Sequence, residues 1–268
     1  MAKPTSKQVN SYDEELAKFA QDFQTQEANT GGSFFGTKAG VLSFEDTVFP
    51  NNEVAGIILD GIHENVLYES YDPDNPKPPL CFAFGRDEKT MVPHEEAQYK
   101  KAASCKECPF NQWGTSKKQD GTPSKGKACK NSRRLAIIPA GSFVNGQFQA
   151  ITDPEHFKTA TAGYLKLPTM SVANYTGFVK SVAQALNRPP FGVFVRIKSV
   201  PDPKSQFRIT FEVLGQVPSN LLGIVMERFK ATQEEIAFPY QPAPEEDDVL
   251  VTAGKGAKTA AKKKAPKY

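Results

Sequence analysis

The sequence is poor in several things that would each have pointed elsewhere. It has no long hydrophobic run: the longest clean stretch, residues 54–59, is far short of the ~20 apolar residues of a membrane helix. Residues 1–10 are polar and carry no signal-peptide core, so a soluble, cytoplasmic protein is expected. Histidine is scarce, with only His63, His94 and His156 to serve as a base, and none lies in a motif that would pair it with a nucleophile. That argues against an enzyme. No internal repeat is present. Cysteines number only four, and in a reducing compartment four clustered cysteines bind metal more readily than they form disulfides.

The overall charge of +3 conceals a strong segregation. Residues 100–134 hold ten Lys/Arg against Glu107 and Asp120, a net of +8, and residues 252–268 hold six lysines and no acid. The remainder is therefore acidic, at −11. An acidic body with one basic insert and one basic tail fits a polyanionic partner.

The chain divides into three parts. Residues 1–32 read as a polar arm and a short amphipathic helix on Tyr12, Leu16, Phe19 and Phe23. Residues 33–240 read as a single β-rich domain, with strands expected at 34–37, 40–44, 54–59, 65–71, 80–84, 134–139, 142–150, 163–167, 191–198 and 207–213. Within it Ser171 is a plausible N-cap for a helix to Leu186 that turns Val172, Tyr175, Phe178, Val179 and Val182 to one side. Ser219 could cap a second helix through Phe229, extending towards Ile236. Residues 72–79, with four prolines, cannot be regular structure and read as a stiff connector. Residues 241–268 read as a disordered tail, acidic at 245–248 and then rich in Ala and Lys. The fold class expected is mainly β with a few helices, an OB-like antiparallel barrel interrupted by a metal-stapled basic insert at about 80–135.

Cys105-Lys-Glu-Cys108 is a C-x2-C pair, with Cys129 downstream and Cys81 upstream. Two sulfurs at this spacing converge on one ion through a tight turn, and tetrahedral Zn²⁺ then needs two further ligands. Cys129 and Cys81 supply them, and His94 competes with Cys81 for the fourth position. Residues 114–126 are polar and rich in Gly and Lys, so burial cannot hold the ends of this loop together, whereas a structural zinc can. Around Cys129 lie Lys125, Lys127, Lys130, Arg133 and Arg134, read as phosphate contacts. Arg86 joins them as a basic residue beside an aromatic. Tyr68, Tyr71, Tyr99 and Trp113, each near a loop or strand end, are candidates for stacking on unpaired bases.

The strings Cys105-Lys-Glu-Cys-Pro-Phe-Asn-Gln-Trp-Gly114 and Gly126-Lys-Ala-Cys-Lys-Asn-Ser-Arg-Arg-Leu135 resemble a recurring bacteriophage Cys-motif family. Pro78-Pro-Leu-Cys-Phe-Ala-Phe-Gly85, Pro93-His94, Leu167-Pro-Thr-Met-Ser-Val172 and Arg188-Pro-Pro-Phe-Gly192 fit it too, so the likeness spans about residues 34–240. In layout it is similar to phage single-stranded-DNA-binding proteins in which a zinc subdomain interrupts an OB-type barrel. The resemblance implies a non-catalytic single-stranded-DNA-binding protein with a structural zinc, acting in DNA replication or recombination within the host cytoplasm. The C-terminal tail would then engage replication, recombination or transcription proteins. A zinc-containing RNA polymerase modulator is the alternative, and a zinc nuclease is disfavoured because no histidine lies between His94 and His156. One departure stands out: the acidic patch at 245–248 is followed by lysines, unlike the terminal acidic tail of many replicative single-strand binders.

Overall fold

Two strands of fifteen residues, β4 (Glu53–Leu67) and β6 (Lys130–Val144), run antiparallel through the centre of a seven-stranded sheet. The computed structural model describes residues 34–44, 47–69, 78–118 and 121–240. The expected N-terminal helix, Tyr71 and the tail after 240 lie outside them. One edge of β4 carries two shorter partners in succession: β9 (Val193–Asp202) pairs with Glu53 to Gly56, and β5 (Cys81–Gly85) pairs with His63 to Leu67. The far edge of β6 likewise carries β8 (Gly163–Leu167) and β7 (Gln147–Ala150). The strand β10 (Gln206–Gln216) extends the sheet beyond β9. A small separate sheet, β1 (Phe35–Gly36), β2 (Ser43–Phe44) and β3 (Thr47–Val48), packs Phe35 against the larger core.

The sheet is mainly antiparallel and curled into a half-barrel. Register shifts at Ala55/Gly56 and Ile58/Asp60 bend the long pair, as bulges do. Helices cover both faces. On one, α2 (Val172–Leu186) packs Tyr175, Phe178 and Val182 over Ile58, Leu135, Ile137, Val195 and Ile197. On the other, α1 (Pro154–Thr159) and α3 (Ser219–Glu235) cover Ile57, Leu59, Ala136, Ile138 and Phe194 with Phe157, Leu221 and Val225. Strands buried on two sides carry continuous apolar runs rather than alternation, which is why residues 54–59 are apolar throughout.

Three local expectations change. The break anticipated between residues 59 and 65 does not occur, because Gly61 stays in β4: a Cβ there would lie 2.7 Å from the Tyr175 hydroxyl. The glycine permits close helix approach, not a turn. Residues 134–139 and 142–144 likewise form one strand, and the turn falls at Asn145-Gly146, both with positive φ, as a two-residue hairpin requires. Ser171 precedes α2 without capping it: its hydroxyl accepts the Ile209 N–H at 2.8 Å and so ties the helix to β10.

Candidate metal centre and nucleic-acid interface

The four cysteines arrive from three separate stretches of chain. Cys81 opens β5 opposite Leu67, and Cys129 is the residue before β6. Backbone hydrogen bonds fix the rest: Cys105 N–H donates to Met91 O at 3.0 Å, and Cys129 N–H to Phe110 O at 2.8 Å. The Asn111 side chain donates to Cys105 O at 2.7 Å and its backbone N–H to Cys108 O at 3.0 Å, closing the C-x2-C turn. All four residues, Cys81, Cys105, Cys108 and Cys129, thereby line one cavity of about 20 Å³, large enough for a single water or ion. His94 does not line it. Its ring stacks on Phe82 at 5.0 Å and its Nδ1 accepts the Glu96 N–H at 3.2 Å.

The thiols surround this space without closing on it. Among the described residues no three His, Cys, Asp or Glu side chains already stand at the spacing that would hold a metal ion. Their chemistry fits a soft dication nonetheless. Burial pushes the Cys129 thiol up to about 12, reinforced by Cys105, Cys108 and Cys81. Burial also raises Cys105, which Asn65 opposes and Cys81 and Cys108 reinforce, and it raises Cys81, with Cys108 adding to it. The thiolates of Cys81, Cys105 and Cys129 are disfavoured by poor solvation and by neighbouring sulfurs, and a bound cation reverses that sign. Asn65, buried beside Cys105, favours the ionised thiol through its side-chain amide, a donor suited to a thiolate sulfur.

The segment that carries Cys105, Cys108 and Cys129, residues 99–130, presents cations and rings to solvent. Trp113 is 77% exposed, with Lys127 Nζ 5.5 Å from its ring centroid. Tyr99 is 56% exposed, with Lys101 Nζ at 5.0 Å. Lys125 and Lys130 are exposed, as are Lys100, Lys101, Lys106, Lys117 and Lys118, and none of them pairs with a described carboxylate at ion-pair distance. Tyr68 lies elsewhere, half-buried with Lys166 Nζ 5.8 Å from its ring.

The arginines are not part of this surface. Arg134, read from the sequence as a phosphate contact, is 1% exposed. Its Nε donates to Glu64 Oε2 at 2.9 Å, its Nη1 donates to the carbonyls of Ile236 and Phe238, and its guanidinium packs on Phe84 and Phe238. It is a core group that ties the chain after α3 to the sheet. Glu64 also takes Lys166 Nζ at 3.1 Å and the Tyr240 hydroxyl. Burial alone would raise the Glu64 carboxyl, but Lys166, Arg134 and the Tyr240 and Arg134 hydrogen bonds outweigh it and hold it below the ordinary range. Arg86 is likewise committed, forming a two-point pair with Asp60 at 3.0 and 2.6 Å. Arg133, on the opposite face of β6 from Arg134, points to α2, with Tyr175 6.0 Å away.

Alternation along a strand sends Arg133 and Arg134 to opposite faces, the one signal that could have separated them. Nothing in the sequence marked Glu64, Lys166 and Tyr240 as partners, since they are 176 residues apart at the extremes. No family model, curated protein or solved structure matches the chain.

Proposed function

We propose that the protein binds single-stranded DNA without catalysis, through a cysteine-anchored lobe held by one structural Zn²⁺. The observation that carries this reading is the cysteine-bearing segment itself, where lysines without a described carboxylate partner stand beside the exposed rings of Trp113 and Tyr99. Cations replace phosphate counterions, and an aromatic face accepts any unpaired base at ~1 to 3 kcal/mol, which suits a strand-tolerant binder. Zinc, when bound, would convert the thiols to ligating thiolates and tie β5, the C-x2-C turn and the start of β6 together. Cys81 is preferred to His94 as fourth ligand because it lines the cavity. The layout, a curled half-barrel with the cysteine insert between β5 and β6, supports the comparison with an interrupted OB-type barrel.

The test is a salt-dependent titration of labelled oligodeoxythymidylate, with duplex DNA and single-stranded RNA as competitors and zinc measured by elemental analysis. Tight, salt-sensitive binding that duplex DNA competes poorly, together with about one zinc per chain, is expected. Equal affinity for duplex, or no binding by zinc-replete protein, removes the reading in favour of a protein-binding role such as polymerase modulation.

A further inference from the structure

A second cavity lies away from the cysteines, where β4 is left bare. β9 pairs with β4 no further than Gly56, and β5 begins only at His63, so the intervening edge has no strand partner. Asp60 caps part of that edge, its Oδ1 accepting the Gly61 N–H at 2.8 Å, and holds Arg86 across the opening. The gap opens into a cavity of about 410 Å³ between α2, α3 and the turn before β9. Its walls are largely apolar, with Phe191 and Phe229 stacked at 4.6 Å. Its charge is positive: Asp60 answers Arg86, and Arg133 and Lys180 remain.

Arg133 is the telling group. Its Nε is buried without a hydrogen-bond partner, and among the described residues its guanidinium makes no ion pair. Arg133 is half-buried, and a buried donor such as its Nε costs stability unless an acceptor completes it. Arginine is also the side chain best shaped for a phosphate, by two parallel donors. The volume lies within the range of small-ligand sites and holds a ring with a phosphate attached.

We propose that this cavity binds a nucleotide, with the phosphate on Arg133 and Lys180 and the base against the Phe191 and Phe229 side. Two sources share that chemistry: a free nucleoside monophosphate, or the phosphorylated end of a single strand. Only the second rests on the proposed single-strand binding.

The full-length protein is titrated with dAMP and dTMP, with the unphosphorylated nucleosides and inorganic phosphate as controls, using calorimetry. Matched oligonucleotides with and without a 5′ phosphate form the second arm. Arg133→Met and Thr176→Trp, which fills the cavity from α2, are compared with wild type and with a Lys125→Ala/Lys130→Ala variant. Either mononucleotides bind at least tenfold tighter than their nucleosides, or the 5′ phosphate tightens oligonucleotide binding at least tenfold. Both cavity variants remove that preference, and the lobe variant retains it in the mononucleotide arm. Arg133→Met leaves the unfolding midpoint at or above that of wild type, because the half-buried guanidinium it removes has no ion pair and an unpartnered Nε, which distinguishes a ligand group from a structural one. No phosphate preference in either arm, or a preference unchanged in both cavity variants, overturns the proposal. Loss of oligonucleotide binding in the lobe variant with mononucleotide binding intact shows that the two sites are separate.

Discussion

The sheet body and the cysteine lobe are built on opposite terms. The body buries Ile57, Ile58, Leu135, Ile137, Ile138 and Ile197 completely and is covered by helices on both faces. Among its described residues the lobe has no buried apolar cluster apart from Ala83, Met91 and Cys105, and its Trp113, Tyr99 and Phe110 face solvent. Hydrophobic burial contributes about 25 cal/mol per Å² of apolar surface, so a segment that leaves its large rings outside lacks the main stabilising term of folding. What remains to hold it is a set of backbone hydrogen bonds, the side-chain bonds of Asn111, Gln112 and Thr115 to the backbone, and four thiols around one cavity. The difference teaches that rings and unpaired lysines crowd onto the part of the chain that hydrophobic burial does least to hold.

The comparison breaks first if the lobe stands without metal. Cys108→Ser, or exhaustive chelation, is expected to remove zinc and open residues 86–129 to proteolysis while the body keeps its circular dichroism. Structural zinc contributes on the order of 10 kcal/mol in isolated sites, so the loss should be nearly all-or-none for the lobe. Unchanged protease resistance in zinc-free protein would mean that hydrogen bonds alone suffice there.

The body's weak point should be electrostatic. Arg134→Met leaves Glu64, itself fully buried, short of its closest cation, and removal of one partner from a buried pair costs ~3 to 5 kcal/mol. Denaturant unfolding measures this, with zinc content expected to be unaltered. The same network sets an acid limit. Because the folded Glu64 pKa lies below that of the unfolded chain, its contribution is complete above the unfolded carboxylate range and is lost as pH falls through the folded value. Glu64→Gln should therefore flatten the acid limb of the stability profile, and a profile identical to wild type would place the acid sensitivity elsewhere.

Much of the body and the convergence of the four cysteines was legible because both leave local patterns. Tyr175, Phe178 and Val182 fall at helical spacing, and they are the buried face of α2. Cys105 and Cys108 form a tight turn by their spacing alone, and Cys81 and Cys129 were the only cysteines left to join them. Charge was read less well, since a count of basic residues carries no facing: Arg133 and Arg134 added equally to the basic insert, yet one enters a cavity and the other the core. The second cavity had no sequence signal, because Asp60, Arg86, Arg133, Lys180 and Phe229 meet only through the topology of β4, β6, α2 and α3.

A smaller effect separates rings that pack from rings that bind. Trp113→Ala is expected to weaken single-strand affinity by ~1 to 3 kcal/mol, the usual value of one stacked base, with no change in unfolding midpoint. Phe157→Ala, by contrast, empties a fully buried site and should lower stability with little direct effect on binding. If Trp113→Ala destabilised the fold and left affinity intact, the lobe would be packing its rings after all.

The smallest expected effect is the sharpest in kind. Lys125→Ala and Lys130→Ala remove exposed cations that no described carboxylate answers, so each should shrink the slope of log affinity against log salt by ~0.7 on single strands. The loss should be equal for all sequences, because a phosphate contact reads no base. Lys158 on α1 is the control in the body: it is also exposed, but its Nζ lies 2.6 Å from Glu155. A lysine already neutralised releases few counterions from DNA, so Lys158→Ala should leave the slope as it was. Salt titrations of the three variants against one oligonucleotide decide the matter. Equal slopes for all three would locate the strand away from the cysteine lobe, while a drop confined to Lys125→Ala and Lys130→Ala would tie the unpaired charge of that lobe to the phosphates it was left free to meet.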